Sequence, residues 1–285
     1  MDPKDIAAIK PDCLAPVEIE LKAETVGLAK AGMGFRQNAF LSIAAGMFIG
    51  MGGMFMLLIK ADPAIPWIAS QLLGGLVFCL GLFLVVVAGA ELFTGNTLMA
   101  AGALSKKFSW CKVFKNWVIV WVFNFIGALI LVCILYCAQF WAIGPTTDAV
   151  GLTMVNVGVA KINQDWLVLM LKGIMCNFLV CLAVWIAYAG RTVIDKFVGI
   201  LLPISAFVAC GFEHCVANMF FLPMAFVMKI SGAIDTSSVA AEKLANLDIT
   251  GIFYNLSAAT VGNIIGGAVL VACLYWFAFH KKQAA

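Results

Sequence analysis

Six long apolar blocks, at about residues 37–59, 67–104, 112–140, 166–189, 197–228 and 251–279, leave this chain few ways to fold. A helix needs about 20 apolar residues to cross a hydrocarbon core of roughly 30 Å. The blocks reach or exceed that length. With 64% hydrophobic and 12% charged residues among 285, the chain reads as an all-α integral membrane protein of six spans. A net charge of +3 without a basic arm gives no reason to expect a nucleic-acid partner.

Residues 1–36 carry charges of both signs and no apolar stretch behind a basic start, so they do not read as a cleaved signal peptide. Their segment "APVEIELKAETVGLAKAGMGF" predicts an amphipathic helix that runs along the membrane surface into the first span. The chain therefore divides into an N-terminal segment (1–36), a six-helix membrane domain (37–279) and a C-terminal tail (280–285).

Six spans place both termini on one side. That side receives Lys4, Lys10, Lys22, Lys30, Arg36, Lys106, Lys107, Lys112, Lys115, Arg191, Lys196, Lys281 and Lys282, against Lys60, Lys161, Lys229 and Lys243 on the other. The excess makes both termini cytoplasmic and predicts a multi-pass protein of the inner (plasma) membrane. The intervening stretches, including "GPTTDAVGLTMVNVGVAKINQD", read as connections.

Two blocks are too long for one crossing. At 1.5 Å per residue, 67–104 would span about 57 Å. Block 197–228 is long too, and is punctuated by Pro203, Gly211 and Pro223. Each is expected to break into two half-helices, with the irregular backbone buried in protein or lining a cavity. The breaks coincide with a repeat. "GAELFTGN" places Glu91 five residues before Asn96, and "GFEHCVAN" places Glu213 five before Asn218. "NFIGALILVCILY" (124–136) matches "NIIGGAVLVACLY" (263–275). Three spans per repeat require the halves to be inverted, and broken helices at matching positions point to a permeation site.

The ionisable residues inside the spans are Glu91, Lys172, Glu213 and His214, each a functional candidate because a charge in lipid is costly. Glu91 and Glu213 sit at the breaks, where they either accept freed backbone N–H groups or pair with Lys172; Asn96 and Asn218 read the same way. His214 has no counterpart in the first repeat, where Leu92 stands, and the other histidine, His280, lies in the tail. An imidazole titrates near neutral pH and can donate or accept a proton. Phe78, Leu82, Leu92, Phe93 and Phe207 fall in or beside the broken helices and suit a hydrophobic constriction. The ten cysteines show no CxxC spacing, and Cys210, His214 and Cys215 lack a fourth ligand, so neither a metal nor any other cofactor is expected. Glu213, His214 and Cys215 point about 100° apart on one helix, which argues against an intramembrane enzyme. A neutral-solute channel of the aquaporin type would share broken helices in inverted repeats, but its paired Asn-Pro-Ala signature is absent.

"GAELFTGN", "KGIMCNFLVCLAVW", "GFEHCVANMF" and "GNIIGGAVLVACLYW" resemble the formate/nitrite transporter family over about residues 16–279. The resemblance implies an aquaporin-like protomer in a homopentamer, each protomer passing small monovalent anions of weak acids (formate, nitrite or hydrosulfide), with or without an obligatory proton. By motif position it places an Ω-shaped loop at Leu92–Asn96, one constriction at Leu82 and Leu92 on the cytoplasmic side, and another at Phe78, Val180 and Phe207 on the external side. It also places Thr94 and Asn177 as hydrogen-bonding partners near His214, and Lys161 in the outer vestibule to attract anions. Thr94-Gly95 is the pairing the resemblance associates with nitrite and hydrosulfide branches, where formate channels carry Thr-Ser.

Overall fold

A computed structural model describes residues 13–279 apart from position 147, so Lys4, Lys10, His280, Lys281 and Lys282 lie outside the described residues. The described chain is helical, without a strand. Its helices are α1 (Pro16–Ala31), α2 (Phe35–Lys60), α3 (Trp67–Leu84), α4 (Phe93–Asn96), α5 (Met99–Leu104), α6 (Trp110–Cys137), α7 (Ala149–Ile162), α8 (Trp166–Ala189), α9 (Val193–Ala209), α10 (Cys215–Ser231), α11 (Ala241–Ala245) and α12 (Ile249–Ile264). Helix α3 runs on through a wide turn at Val85–Gly89, and α12 continues through Ile265–Cys273 to Phe279.

Each half packs alike. Helix α2 lies against α3 and α6, and α8 against α9 and α12, while α3 and α9 join the halves. The crossings are close because small residues sit at them. A Cβ on Gly127 would collide with the carbonyl oxygen of Ile43, and one on Gly266 with that of Ile174, at matching points of the two halves.

Both predicted breaks are present. Helix α3 ends where Gly89 turns to φ +85°, and α9 ends where Gly211 turns to φ +68°, a left-handed conformation that glycine adopts without steric cost. Ala90 to Leu92, and Phe212 to His214, then lie outside any helix before α4 and α10 begin. Pro203 and Pro223 lie inside α9 and α10, so Gly211 alone marks the second break.

Three expectations need correction. The "GPTTDAVGLTMVNVGVAKINQD" stretch is no simple connection. It holds α7, whose Val150, Met154, Val155, Val159 and Ile162 recur at helical spacing and are buried against α10. The expected Ω-shaped loop is shorter than Leu92–Asn96, because Phe93–Asn96 closes into a helical turn with Asn96 N–H donating to the Leu92 carbonyl. Helix α1 exists, but its faces are mixed rather than cleanly amphipathic. Ile19, Glu20, Ala23, Glu24 and Gly27 are buried, α1 packing mainly on α5, whereas Val17, Leu21, Lys22 and Leu28 are exposed. The buried acid Glu24 accepts from Ser105 and pairs with Lys107 at 2.6 Å, which offsets its desolvation.

Candidate functional site

At each break a carboxylate, a lysine and asparagines hold the irregular backbone. At the first, Lys30 Nζ reaches Glu91 Oε1 and Oε2 at 2.7 and 2.8 Å and Asn96 Oδ1 at 2.8 Å, and Asn96 Nδ2 donates to Glu91 and Asn116. At the second, Lys161 Nζ reaches Glu213 Oε1 and Oε2 at 3.0 and 3.1 Å, and Asn218 Nδ2 donates to Glu213 and Asn255. The expected pairing with Lys172 does not form. Its Nζ donates to Gln164, while its backbone carbonyl accepts from Glu213 N–H, as the Leu41 carbonyl accepts from Glu91 N–H. Lys30 on α1 and Lys161 on α7 are the cations, so the repeat extends to the helix before each first span.

A third pair clamps the unwound segments. Asn124 Nδ2 donates to the Ser42 and Glu91 carbonyls, and its Oδ1 accepts from Phe93 N–H. Asn263 Nδ2 donates to the Gly173 and Glu213 carbonyls, and its Oδ1 accepts from Cys215 N–H. The Glu91 and Glu213 carbonyls and the Phe93 and Cys215 N–H groups are ones that the breaks leave without helical partners, and the bonds to Ser42 and Gly173 tie them to the interiors of α2 and α8.

Between the breaks lies the histidine. His214 is 2% exposed and caps α10, its Nδ1 accepting from Ala217 N–H at 3.0 Å. That bond assigns the neutral ring's proton to Nε2, which lies 2.9 Å from Thr94 Oγ1. Asn177 makes no hydrogen bond to His214. It donates to the carbonyls of Thr94 (3.2 Å) and Asn263 (2.6 Å) and to Thr97 Oγ1 (3.1 Å), and so fixes Thr94 from behind. Thr97 in turn donates to the Thr94 carbonyl, with Cys181 Sγ 3.3 Å away.

A vestibule opens on each side of this pair. On the α7 side a cavity of about 230 Å³ is lined by Lys161, Glu213, Asn218, His214, Phe78 and Phe207. The Phe78 and Phe207 rings meet edge to face at 5.7 Å, and Phe207 stacks on the imidazole at 5.9 Å. On the α1 side a cavity of about 360 Å³ is lined by Lys30, Glu91, Asn96, Leu82, Leu92 and Tyr188. Thr94, wholly buried, lines neither cavity. Val180, like Thr94, is buried and lines neither vestibule, and Phe93 turns away from both to meet Trp117 at 6.4 Å.

Sequence reasoning passed over Lys30, Asn116 and Asn255, and gave Asn124 and Asn263 no role. One signal was available: Lys30 stands five residues before the first residue of α2, and Lys161 five before that of α8.

Two lysine-bearing vestibules separated by a buried, histidine-centred block suit a conduit rather than a reaction centre. The sequence profile described as "Formate/nitrite transporter" matches residues 17–277. The chain belongs to the formate/nitrite transporter family. Members of this family are channels and transporters, not enzymes, and this one is an integral membrane protein. It is 35% identical over 277 residues to "Formate channel FocA" of Escherichia coli (strain K12), covering 95% of this chain and 96% of the relative. It is 38% identical over 257 residues to the "Probable formate transporter" of Methanothermobacter thermautotrophicus, covering 85% and 88%. Among solved structures, one described as "Pentameric formate channel with formate bound" superposes with a TM-score of 0.73 at 35% identity, over 87% of this chain and 98% of that one. An "FNT family ion channel" gives 0.79 at 26% identity, over 92% and 98%. Within the formate/nitrite transporter family, then, the inverted repeat and both broken helices are this chain's own arrangement of a shared fold.

Proposed function

We propose that each protomer is a pore for the conjugate base of a small weak acid, formate first and nitrite and hydrosulfide as further candidates, and that five protomers assemble as in the pentameric neighbour. The observation that carries this reading is the Thr94–His214 pair, buried between two cation-bearing vestibules and flanked by Phe78 and Phe207 on one side and Leu82 and Leu92 on the other. The charge distribution of the sequence supports an inner-membrane location with both termini, and hence the α1-side vestibule, in the cytoplasm.

A bare anion loses its hydration at an apolar constriction, at a cost no single contact replaces. Lys161 reduces the cost at the mouth. Its ammonium gives two bonds to Glu213, whereas Lys30 gives three to Glu91 and Asn96, so Lys161 keeps a donor for a passing anion. At the centre, His214 Nε2–H donates to Thr94 Oγ1 and frees the Thr94 hydroxyl proton to point at the anion. A neutral His214 cannot also give that proton away without becoming an imidazolate. Proton transfer to the anion therefore requires the imidazolium, whose formation displaces the Ala217 N–H bond at Nδ1. Passage as the neutral acid suits a weak acid and handicaps chloride.

The test is uptake into proteoliposomes of formate, chloride and glycerol in parallel. Fast formate with inert chloride and glycerol is expected. Glycerol permeation would instead favour a neutral-solute channel. His214→Gln should flatten the pH dependence of formate flux, and an unchanged profile would remove the proton-transfer role.

A further inference from the structure

We infer that the small cavity between α1 and α6, beside the α1-side vestibule, is a binding site for one small oxyanion, held by Lys112, Lys115 and Asn116. The cavity, of about 130 Å³, shares Lys30 and Met33 with that vestibule, and its lining contains lysines and asparagines but no Asp or Glu. Lys112, Lys115 and Asn116 stand at i, i+3 and i+4 on α6 and so share one face.

The decisive feature is the Asn116 amide. The residue is 3% exposed, and its Oδ1 accepts from Asn96 Nδ2 at 2.8 Å, which fixes its orientation. Its Nδ2 has no hydrogen-bond partner among the described residues. The matching residue in the other half is satisfied, since Asn255 Nδ2 donates to the Lys161 carbonyl at 2.9 Å. The corresponding carbonyl, that of Lys30, instead accepts from Met33 N–H as α1 ends. A buried donor beside two ammonium groups calls for an anionic acceptor.

The volume admits a carboxylate, a nitrite or a phosphate group and excludes anything much larger. Two sources supply such an oxyanion: the permeating anion itself, or the phosphate headgroup of an anionic lipid at the membrane surface. The first extends the permeation reading, since an anion held here is poised for the vestibule from one side only.

The experiment uses the full-length protein and the double variant Lys112→Ala/Lys115→Ala, neither residue belonging to the pore. In oriented vesicles of phosphatidylcholine alone, formate flux from the α1 side should need a half-saturating concentration roughly three- to tenfold higher in the variant, and flux well below saturation should fall by the same factor in both directions. In parallel, native mass spectrometry reads retained phosphatidylglycerol against phosphatidylcholine. If the headgroup is the occupant, the variant loses phosphatidylglycerol selectively and its flux constants stay put. Asn116→Asp, which keeps the acceptor for Asn96 and replaces the free donor, should reproduce whichever loss is seen. Equal half-saturation and equal lipid retention in variant and wild type would overturn the site. Absence of formate flux in the wild type would instead overturn the permeation reading, and the lipid comparison would then decide the site alone.

Discussion

Asn263→Ala is the sharpest probe of how the breaks are held. The side chain satisfies three backbone groups, the Gly173 and Glu213 carbonyls and Cys215 N–H, at 2.8 to 2.9 Å in a site of zero exposure. Leaving a buried polar group without a partner costs about 1–3 kcal/mol, and the Gly173 carbonyl, inside α8, keeps its helical donor, so with two groups orphaned the loss is on the order of 2–6 kcal/mol. Asn124→Ala strips the Ser42 and Glu91 carbonyls and Phe93 N–H in the same way, and the two losses should agree within about 2 kcal/mol. At about 2 °C or more per kcal/mol, each variant should unfold at least about 4 °C below wild type. Heating the detergent-solubilised protein while following tryptophan fluorescence and gel-filtration recovery reads the shift. Either variant unfolding within about 1 °C of wild type would refute the claim that these asparagines carry the unwound backbone.

Thr94→Val removes the hydroxyl from His214 at nearly constant volume and should lower formate flux roughly 10- to 100-fold, with Thr94→Ser restoring most of it; wild-type flux in the valine variant would contradict the role given to Thr94. Lys161→Met leaves Glu213 buried without its cation, so Glu213→Gln in the same chain should recover stability but not formate flux, and recovery of both would show that Lys161 serves the fold alone. On α1, burial and the neighbouring Glu24 carboxylate push Glu20 up from 4.5 to about 7, against the attraction of Lys107. The folded state then binds the Glu20 proton more tightly than the unfolded one, so the Glu20 contribution to the docking of α1 is full below about pH 4.5 and is lost as pH rises through about 7, while Glu24, held despite its burial below the usual carboxylate range by Lys107 and Ser105, contributes in the opposite sense on acidification. Hydrogen exchange of residues 16–31, corrected for intrinsic rates, should show that loss of protection, and Glu20→Gln should abolish its pH dependence.

Span number, both breaks and the inverted repeat were legible because they follow from block length and from motifs that recur in order. The breaks carry their own local marks, Gly89 and Gly211 followed by Glu91 and Glu213. The cations were harder to read. Lys172 lay inside a span and drew the expectation, while Lys30 sat in a mixed-charge segment that resembles a solvated surface. Only folding brings Lys30 beside Glu91, 61 positions away in the chain. Helix α1 misled for a related reason. Glu24 reads as solvent-facing because its partners, Ser105 and Lys107, are supplied by a distant turn. Helix α7 escaped notice because its 14 residues are too few to span a membrane, although its buried face repeats at helical spacing. Phe93 was assigned by proximity, which says nothing about which way a side chain turns.

The most direct test of the account is a single recording on proteoliposomes holding a pH dye, with membrane potential clamped by valinomycin and potassium, under an inward formate gradient. Passage of the weak acid through the Thr94–His214 constriction with a proton predicts internal acidification faster than in empty vesicles and little net current. A formate current without acidification would contradict it, and would make the pair a hydrogen-bonding station for the bare anion.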